Sequence, residues 1–299
     1  MVASNRKQRQ YYERLMRFCA VCLAVVLAIL ALVGCKKEDT PLTIDEDAVV
    51  FRLPVTGESD AGASYVLRQD NLIPSTKDNE TLVGQDYSDD TGKYVLFIAR
   101  LAEGVSGQQR DWWFSLSVSN PLETKHYALF RIDRSFKEGD RINMPALEEW
   151  MEVGPGKYVD MGEGEEWATC NEGAQLPHEA GDYFDFTKET RAPSREAYER
   201  LITSKYHWRW VSVQGRYGKA FVHKEQPERF LFFPAVGRKV LADGSMEWEE
   251  RGFYCSEPWL DGETPRWFSV LLMEESIVKV SRFAADAAGY SLRLCRPAQ

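Results

Sequence analysis

The side chains that could do chemistry in this sequence are its thiols, imidazoles and carboxylates, and their spacing limits what they can do. The chain contains six cysteines and four histidines. Cys19 and Cys22 have the Cys-x-x-Cys spacing but lie in the N-terminal apolar run that we assign to a signal peptide below. No such pair occurs among Cys170, Cys255 and Cys295, and the histidines are scattered, whereas a protein zinc site draws its ligands from short Cys/His spacings. We therefore expect no metal site and no cofactor.

Four aspartates carry oxygen atoms that Ca²⁺ accepts as ligands: Asp182, Asp185, Asp243 and Asp261. None of them lies in an Asp-x-Asp-x-Asp loop, and we interpret them as solvated turn residues. The sequence lacks the hydrolase motifs Gly-x-Ser-x-Gly and His-Glu-x-x-His. Spacing alone places no carboxylate pair for glycoside hydrolysis. The sequence thus contains no catalytic constellation.

Tryptophans are candidates of another kind, because an indole ring can stack on the ring of a sugar. The second half of the chain has five: Trp208, Trp210, Trp248, Trp259 and Trp267. Most of them are expected in the core, which needs bulky side chains. Trp259 lies between Pro258 and Pro265, in a segment that we predict to be an irregular, exposed loop. We take Trp259 and Trp248 as the candidate ligand-binding residues.

The N-terminal residues have the composition of a secretory signal. Five basic residues precede a continuous apolar run over 18–33, which is shorter than the roughly 20 residues that a membrane-spanning helix needs. We predict that residues 1–34 are a cleaved signal peptide, and an uncleaved membrane anchor is the alternative. Cleavage would change the formal net charge from −9 to −13 by removing five basic residues and one acidic residue. Nucleic acid is not expected as a partner, because no basic patch would remain.

The segment ends at Leu32-Val33-Gly34-Cys35, which resembles the bacterial lipobox. In that motif the Cys is acylated, with fatty chains such as palmitate, and becomes the first residue after cleavage. Two or more acyl chains anchor a protein stably to a bilayer. Residues 35–47 are predicted to be a lipidated linker. Within it, Lys37-Glu38-Asp39 resembles the surface-export signal of Bacteroidota lipoproteins, and an ordinary charged stretch is the alternative. We therefore expect a protein anchored by Cys35 in outer-membrane lipid and facing the cell exterior.

Residues 48–153 have the pattern of an all-β domain. Phe114, Leu116 and Val118 alternate with serines, which is typical of a strand with one solvated face. Several such strands, separated by polar turns, predict a sandwich-like architecture. Trp112 and Trp113 are neighbours on one strand and point to opposite faces, so we expect one of them in the core.

A domain boundary is predicted at Gly154-Pro155-Gly156, where the strand pattern is interrupted. Exposed Gly/Pro linkers are sites of proteolysis, so we expect a stable fragment that starts near residue 155. Beyond the boundary, Ser194 can cap a helix whose apolar face includes Tyr198 and Leu201. The pattern then predicts strands over 208–213 and 220–222, on either side of a turn at 215–218.

Eight sequence blocks follow the boundary: YVDMGE, WATCNEGA, GDYFDFTK, RAPSREAYERL, WRW, LFFPAVGRK, GFYCSE and LRLC. Together they cover nearly half of the chain, over 157–299. In type and in order they resemble the blocks of the Fibrobacter succinogenes major paralogous domain, which many Bacteroidota surface lipoproteins carry.

The resemblance implies an α+β fold related to C-type lectins and to formylglycine-generating enzymes. It also implies a Cys170–Cys295 disulfide, because the family pattern has one Cys on an early strand and another on the last strand. Cys255 stands where the family usually has Trp. Oxidase chemistry is not implied, because Cys255 and Cys295 lack the second thiol that the wider fold's enzymes place close by.

Two classes of function remain open from the sequence. The first is a non-catalytic surface lipoprotein that binds a glycan, a protein or a fimbrial partner through the loops of its C-terminal domain. The second is an enzyme that acts on surface polymers and is built on the same scaffold. The sequence shows neither a catalytic nucleophile nor a set of metal-ligating residues, which favours the binding module, although a fold alone does not exclude catalysis.

Overall fold

The computed structural model describes residues 44–55, 63–69, 81–186, 188–189, 191–261, 264–284 and 286–298, with the backbone alone described at 258–261, 264–267 and 284. The predicted signal peptide, Cys35, Lys37, Glu38 and Asp39 lie outside these residues. Among the described helices, none is long and apolar enough to cross a membrane.

The first half of the described chain forms strands with short connections, as the alternating pattern predicts. Within the described residues the strands are β1 (Val49–Pro54), β2 (Ser64–Arg68), β3 (Thr81–Val83), β4 (Gln85–Asp89), β5 (Gly92–Ala99), β6 (Arg110–Ser119), β7 (Thr124–Arg134), β8 (Arg141–Asn143) and β9 (Met151–Val153). One sheet has the order β4-β5-β1-β8 and the other has the order β3-β2-β6-β7-β9.

The two sheets pack face to face, and the predicted sandwich is confirmed. Phe51 of β1, Phe97 of β5, and Trp112 and Phe114 of β6 are buried in one apolar cluster between them. Burial of side chains of this size contributes about 1.5–3 kcal/mol each, so this cluster stabilises the N-terminal half.

The second half is also mostly β-sheet, with one α-helix among its described residues. Its elements are β10 (Tyr158–Asp160), β11 (Glu165–Ala168), β12 (Tyr183–Phe184), α1 (Arg195–Leu201), β13 (Tyr206–Val213), β14 (Arg216–His223), β15 (Phe230–Pro234), β16 (Arg238–Val240), β17 (Met246–Glu247), β18 (Gly252–Asp261), β19 (Thr264–Met273), β20 (Val278–Ala284), β21 (Ala288–Ser291) and β22 (Cys295–Pro297).

These strands form three sheets: β10-β11-β22, β13-β14-β15, and a larger sheet in which β17-β16-β21-β18-β19-β20 are neighbours and β12 pairs with β21. Ser194 caps α1 as predicted, since its side chain accepts a hydrogen bond from the amide of Ala197. The helix has only seven residues, so this half contains less helix than the predicted α+β class implies.

Strand β6 contributes side chains to two separate cores. Trp112 is buried inside the sandwich. Trp113 points the other way, because successive residues of a strand alternate between faces. Its ring centroid lies 5.1 Å from that of Phe230 and 5.5 Å from that of Phe232, both on β15. Both tryptophans are therefore core residues, rather than one of them.

The Trp113 contacts belong to an apolar cluster, here called the shared cluster, that joins the sandwich to the sheet β13-β14-β15. Its buried members are Trp113, Ala128, Phe130, Val153, Val211, Val213, Ala220, Val222, Phe230 and Phe232. The chain changes sheets at Gly154-Pro155-Gly156, between β9 and β10, where the boundary is predicted. However, the described residues from Asp45 onward cluster into one compact unit, so the two halves share part of their core.

The predicted irregular loop over 259–265 is wrong. Residues 259–261 belong to β18 and residues 264–265 belong to β19, and the backbone of Trp259 pairs with that of Trp267 across this hairpin. Two register shifts interrupt the pairing, one between Cys255 and Pro258 and the other between Trp259 and Leu260. The two prolines that suggested a loop are accommodated in a bulged hairpin instead, since a bulge tolerates a residue that cannot donate a ladder hydrogen bond.

Candidate functional site

A buried polar network lies where four of the sequence blocks meet. The guanidinium of Arg293 donates hydrogen bonds to Oδ1 of Asn171 at 3.0 Å, to the carbonyl of Ala168 at 3.0 Å and to the carbonyl of Phe232 at 2.9 Å. The amide of Asn171 donates to the hydroxyl of Tyr254 at 3.3 Å, and that hydroxyl donates to the carbonyl of Pro234 at 2.9 Å. The network links WATCNEGA, LFFPAVGRK, GFYCSE and LRLC, and its full burial gives these blocks a structural role.

The cysteines do not form the predicted Cys170–Cys295 disulfide. Cys170, Cys255 and Cys295 are all free thiols. Cys295 pairs with Trp167 in the β11·β22 register, and β11 ends at Ala168, before Cys170 is reached.

The thiols are also unsuited to nucleophilic chemistry. Burial raises the pKa of Cys255 to about 12 and that of Cys295 to about 11, and it raises the pKa of Cys170 as well. Only a thiolate attacks as a nucleophile, so at neutral pH these three side chains are small, neutral core groups.

The predicted ligand-binding residues have different surroundings. The guanidinium carbon of Arg238 lies 4.1 Å from the ring centroid of Trp248, and the ring of Phe253 lies 5.4 Å from it. Trp248 is thus partly exposed, and its ring packs against Arg238 and Phe253 of the same chain. Trp259 is described by its backbone alone. The structure therefore does not bring Trp248 and Trp259 together into one described site.

Among the described residues, no group of three or more His, Cys, Asp or Glu side chains could hold a metal ion. Asp243 accepts hydrogen bonds from the amide and hydroxyl of Ser245, and these bonds lower its pKa. Asp185 forms an ion pair with Lys188 at 2.8 Å. Asp243 and Asp185 are thus local turn and surface groups.

The structure reveals instead a row of aromatic rings on the β13–β14 hairpin, here called the aromatic strip: Trp208 and Tyr217, which are exposed, and Trp210, which is partly buried. Trp208 and Trp210 are two residues apart on β13 and therefore share a face. Tyr217 pairs with Ser212 of β13, the next position on that face. The exposed fractions are 41% for Trp208 and 59% for Tyr217. The spacing of rows on a sheet places successive rings about 7 Å apart.

Trp210 is supported from the neighbouring strand by Lys219, its partner in the register. The Lys219 ammonium lies 5.2 Å from the ring centroid of Trp210 and donates a hydrogen bond to the carbonyl of Glu275 at 2.8 Å. Lys219 is only 3% exposed, and this desolvation lowers its pKa. A buried ammonium of this kind fixes the orientation of the indole through a cation–π contact and joins the sheet to the loop before β20.

The aromatic strip borders an open cleft of 690 Å³, here called the acidic cleft. Its volume lies within the range of about 300–1,000 Å³ that is usual for ligand sites. Two members of the strip, Trp210 and Tyr217, form one wall. The polar lining is Arg216, Glu249, Glu250, Arg251, Glu274, Glu275 and Ser276.

The charges in the acidic cleft are only partly neutralised by each other. Arg251 forms an ion pair with Glu274 at 3.1 Å and lies 4.0 Å from Glu250. Arg216, Glu249 and Glu275 make no ion pair or side-chain hydrogen bond within the described part of the chain. One guanidinium and two carboxylates are therefore available to hydrogen-bond a ligand.

The sequence contained a signal for the aromatic strip. The motif Trp-Arg-Trp places two indoles on one strand face by its period of two. What the sequence lacked was the position of β13 at the edge of its sheet, which leaves that face partly exposed.

Neither a protein-family model, nor a curated protein, nor a solved structure matches this chain. The resemblance to the Fibrobacter succinogenes major paralogous domain thus rests on the eight sequence blocks alone.

Proposed function

We propose that this protein is a surface lipoprotein whose C-terminal half binds glycans through the aromatic strip and the acidic cleft. The observation that carries the proposal is the placement of three partly exposed rings on one sheet face beside a cleft with unpaired hydrogen-bonding groups. Aromatic rings combine a large apolar face with a low loss of conformational entropy on binding. Unpaired carboxylates and a guanidinium suit the hydroxyl groups of a sugar, which donate and accept hydrogen bonds.

The charge of the cleft narrows the ligand class. The lining of the cleft contains four glutamates and two arginines, so its formal net charge is about −2 at neutral pH. Like charges across an interface disfavour binding. The proposed ligands are therefore neutral glycans, and polymers of uronic acids should bind more weakly. That difference should shrink as added salt screens the charges.

A glycan array probed with residues 36–299 tests the proposal, followed by titration of the best ligand against single variants. Trp208→Ala and Trp210→Ala should each weaken binding about tenfold, which corresponds to the loss of about 1.4 kcal/mol. Trp248→Ala is the matched control, because Trp208 and Trp248 are both 41% exposed but the ring of Trp248 contacts Arg238 and Phe253. The proposal fails if Trp248→Ala weakens binding while the strip variants bind like the wild type.

The cellular location is part of the same proposal and is supported by the sequence at Leu32-Val33-Gly34-Cys35. Anchoring through acylated Cys35 at the outer membrane, with export by Lys37-Glu38-Asp39, would place the cleft where extracellular glycans reach it. Cys35→Ala should abolish the incorporation of radiolabelled palmitate. Replacement of Lys37, Glu38 and Asp39 by alanine should protect the protein from protease added to intact cells. Wild-type protein that already resists the protease would contradict surface exposure.

The C-type-lectin-like fold that the resemblance implies is also a proposal. It is supported by the order of the eight blocks and by the convergence of four of them on Arg293.

In the glycan screen, release of reducing sugars from a bound polymer would favour the enzyme over the binding module.

A further inference from the structure

A second pocket lies in the N-terminal half, at one end of the sandwich. Its volume is 320 Å³. The floor is apolar and consists of Phe51, Phe114, Leu129, Phe136, Ile142 and Met144. The rings of Phe51 and Phe136 meet edge to face with centroids 5.5 Å apart, as do those of Phe51 and Phe114. Phe51 and Phe114 are fully buried beneath the floor, so the apolar surface that a ligand can reach consists of Ile142 and the small exposed parts of Leu129, Phe136 and Met144.

The rim of this pocket carries a cation in an unusual position. Arg131 is two residues after Leu129 on β7, so both side chains point to the interior face of the sandwich. Among the described residues, its guanidinium donates one hydrogen bond, to the carbonyl of Phe130 at 3.2 Å. Neither Arg131 nor Arg134, which also lines the pocket, forms an ion pair within the described residues. Partial burial lowers the pKa of Arg131, as expected for a charge that lacks a partner.

The acids nearby do not compensate Arg131 fully. Asp140 lines the pocket, but its carboxylate accepts a hydrogen bond from the amide of Lys137 at 2.7 Å. Glu149 acts on Arg131 only at longer range, and its carboxylate accepts a bond from the amide of Ala146 at 3.3 Å. Two arginines against one aspartate leave the lining with a formal charge of about +1 at neutral pH. A half-buried charge without a partner is costly, so an anion at the rim would be stabilised.

We propose that this pocket binds a small organic anion with an apolar body, such as a medium-chain or aromatic carboxylate. The carboxylate lies between Arg131 and Arg134, since a guanidinium matches a carboxylate in charge and geometry. The apolar body lies against Ile142 and the exposed parts of Phe136 and Met144. The volume is at the lower end of the range for ligand sites, which limits the ligand to a single short chain or one aromatic ring system.

The proposal assigns one part of the binding energy to the charge of the ligand and another part to its apolar body. Two probes that have the same chain length but differ in charge distinguish the two parts. Octanoate and octan-1-ol are titrated by calorimetry into residues 36–299, which include every residue that the structure describes. Octanoate should bind at least fivefold more tightly than octan-1-ol. Equal affinities, or no binding of octanoate up to its solubility limit, would overturn the proposal.

Three variants test whether the preference for octanoate over octan-1-ol depends on the arginines at the rim of the pocket. Arg131→Gln and Arg134→Gln should each reduce the preference for octanoate to less than twofold. Arg100→Gln is the control, because this arginine belongs to the same half but pairs with Asp45 at the surface; it should leave the preference unchanged. The ligand-free Arg131→Gln protein should melt at the same temperature as the wild type or higher, since an uncompensated charge is removed. A lower melting temperature with intact octanoate preference would show that Arg131 is structural and would overturn the proposal.

Discussion

Arg293 is a fully buried cation that no carboxylate neutralises within the described residues. Its partners are the side-chain oxygen of Asn171 and two backbone carbonyls, and its guanidinium lies 4.8 Å from the ring centroid of Phe233. Burial lowers its pKa, but an arginine starts so high that it stays charged at neutral pH. The carbonyl dipoles and the aromatic face therefore replace the solvation that the charge loses.

Arg293→Met should destabilise the protein by about 3 kcal/mol. The substitution leaves three buried acceptors without donors, each costing about 1–3 kcal/mol, and the smaller desolvation of Met offsets part of that cost. Arg296→Met is the control, because Arg296 pairs with Glu166 at the surface and such pairs contribute about 0–1 kcal/mol. Urea denaturation of both variants measures the difference. Equal stabilities for the two variants would contradict the role of Arg293 in the network.

Cys255 should make the stability depend on pH in the alkaline range. Burial raises the pKa of its thiol from 9.0 to about 12, so the unfolded chain releases this proton first as the pH rises. The stability from the neutral thiol is complete below pH 9 and is lost progressively towards pH 12. Cys255→Ala should therefore lose less stability than the wild type between pH 8.5 and pH 10.5. Urea unfolding at both pH values measures this, and parallel losses would contradict the assignment.

At the scale of elements, β6 determines how the two halves are joined. Its alternation places Trp112 in the sandwich and Trp113 in the shared cluster, where three rings of the C-terminal sheet and of β7 surround the indole. Removal of Trp113 would leave a cavity between two sheets that neither half can close alone.

Trp113→Ala should cost about 3–5 kcal/mol, the range for truncation of a buried large aromatic. Trp208→Ala provides the comparison, because Trp208 is 41% exposed and should change stability by less than about 1 kcal/mol. Thermal and urea unfolding of the two proteins test this. A small effect of Trp113→Ala would mean that the sheets do not depend on the shared cluster.

Much of the element level followed from the sequence. Period-two alternation predicted the sandwich, apolar strand patterns predicted the strands on either side of residue 215, and the residue type at Ser194 predicted the helix cap. These features depend on neighbours in the chain. The roles of individual tryptophans were harder to predict. The exposure of Trp208 depends on the edge position of β13, and the burial of Trp113 depends on β15, more than 100 residues later. Contacts between residues so far apart in the chain produce no pattern within a short stretch of the sequence.

At the scale of the whole molecule, the shared cluster revises the expectation of an independent C-terminal fragment. Separated from the sandwich, residues 157–299 would expose the apolar side chains of Val211, Val213, Phe230 and Phe232 to water. Large exposed apolar patches promote aggregation and local unfolding.

Residues 157–299 expressed alone should therefore melt at least 10 °C lower than residues 36–299 and should bind a dye for apolar surfaces. The reason is the lost burial on one side of the sheet β13-β14-β15, at roughly 25 cal/mol for each Å² of apolar surface. Differential scanning calorimetry of the two proteins measures the shift. A fragment that melts cooperatively at the temperature of the longer protein would restore the expectation of an independent domain.

The hydrogen bonds of Arg293 also impose an order in time on the synthesis of this chain. They reach back 61, 122 and 125 positions, and β22, the last strand, pairs with β11. A ribosome adds about 5–20 residues per second, so the partners of Arg293 wait several seconds after their own synthesis for Arg293 and β22. During that interval the sandwich can already be folded, with Trp113 and Phe130 still uncovered. Chains that stop before Arg293 would lack the residue that closes the fold, although they would carry every other member of its network.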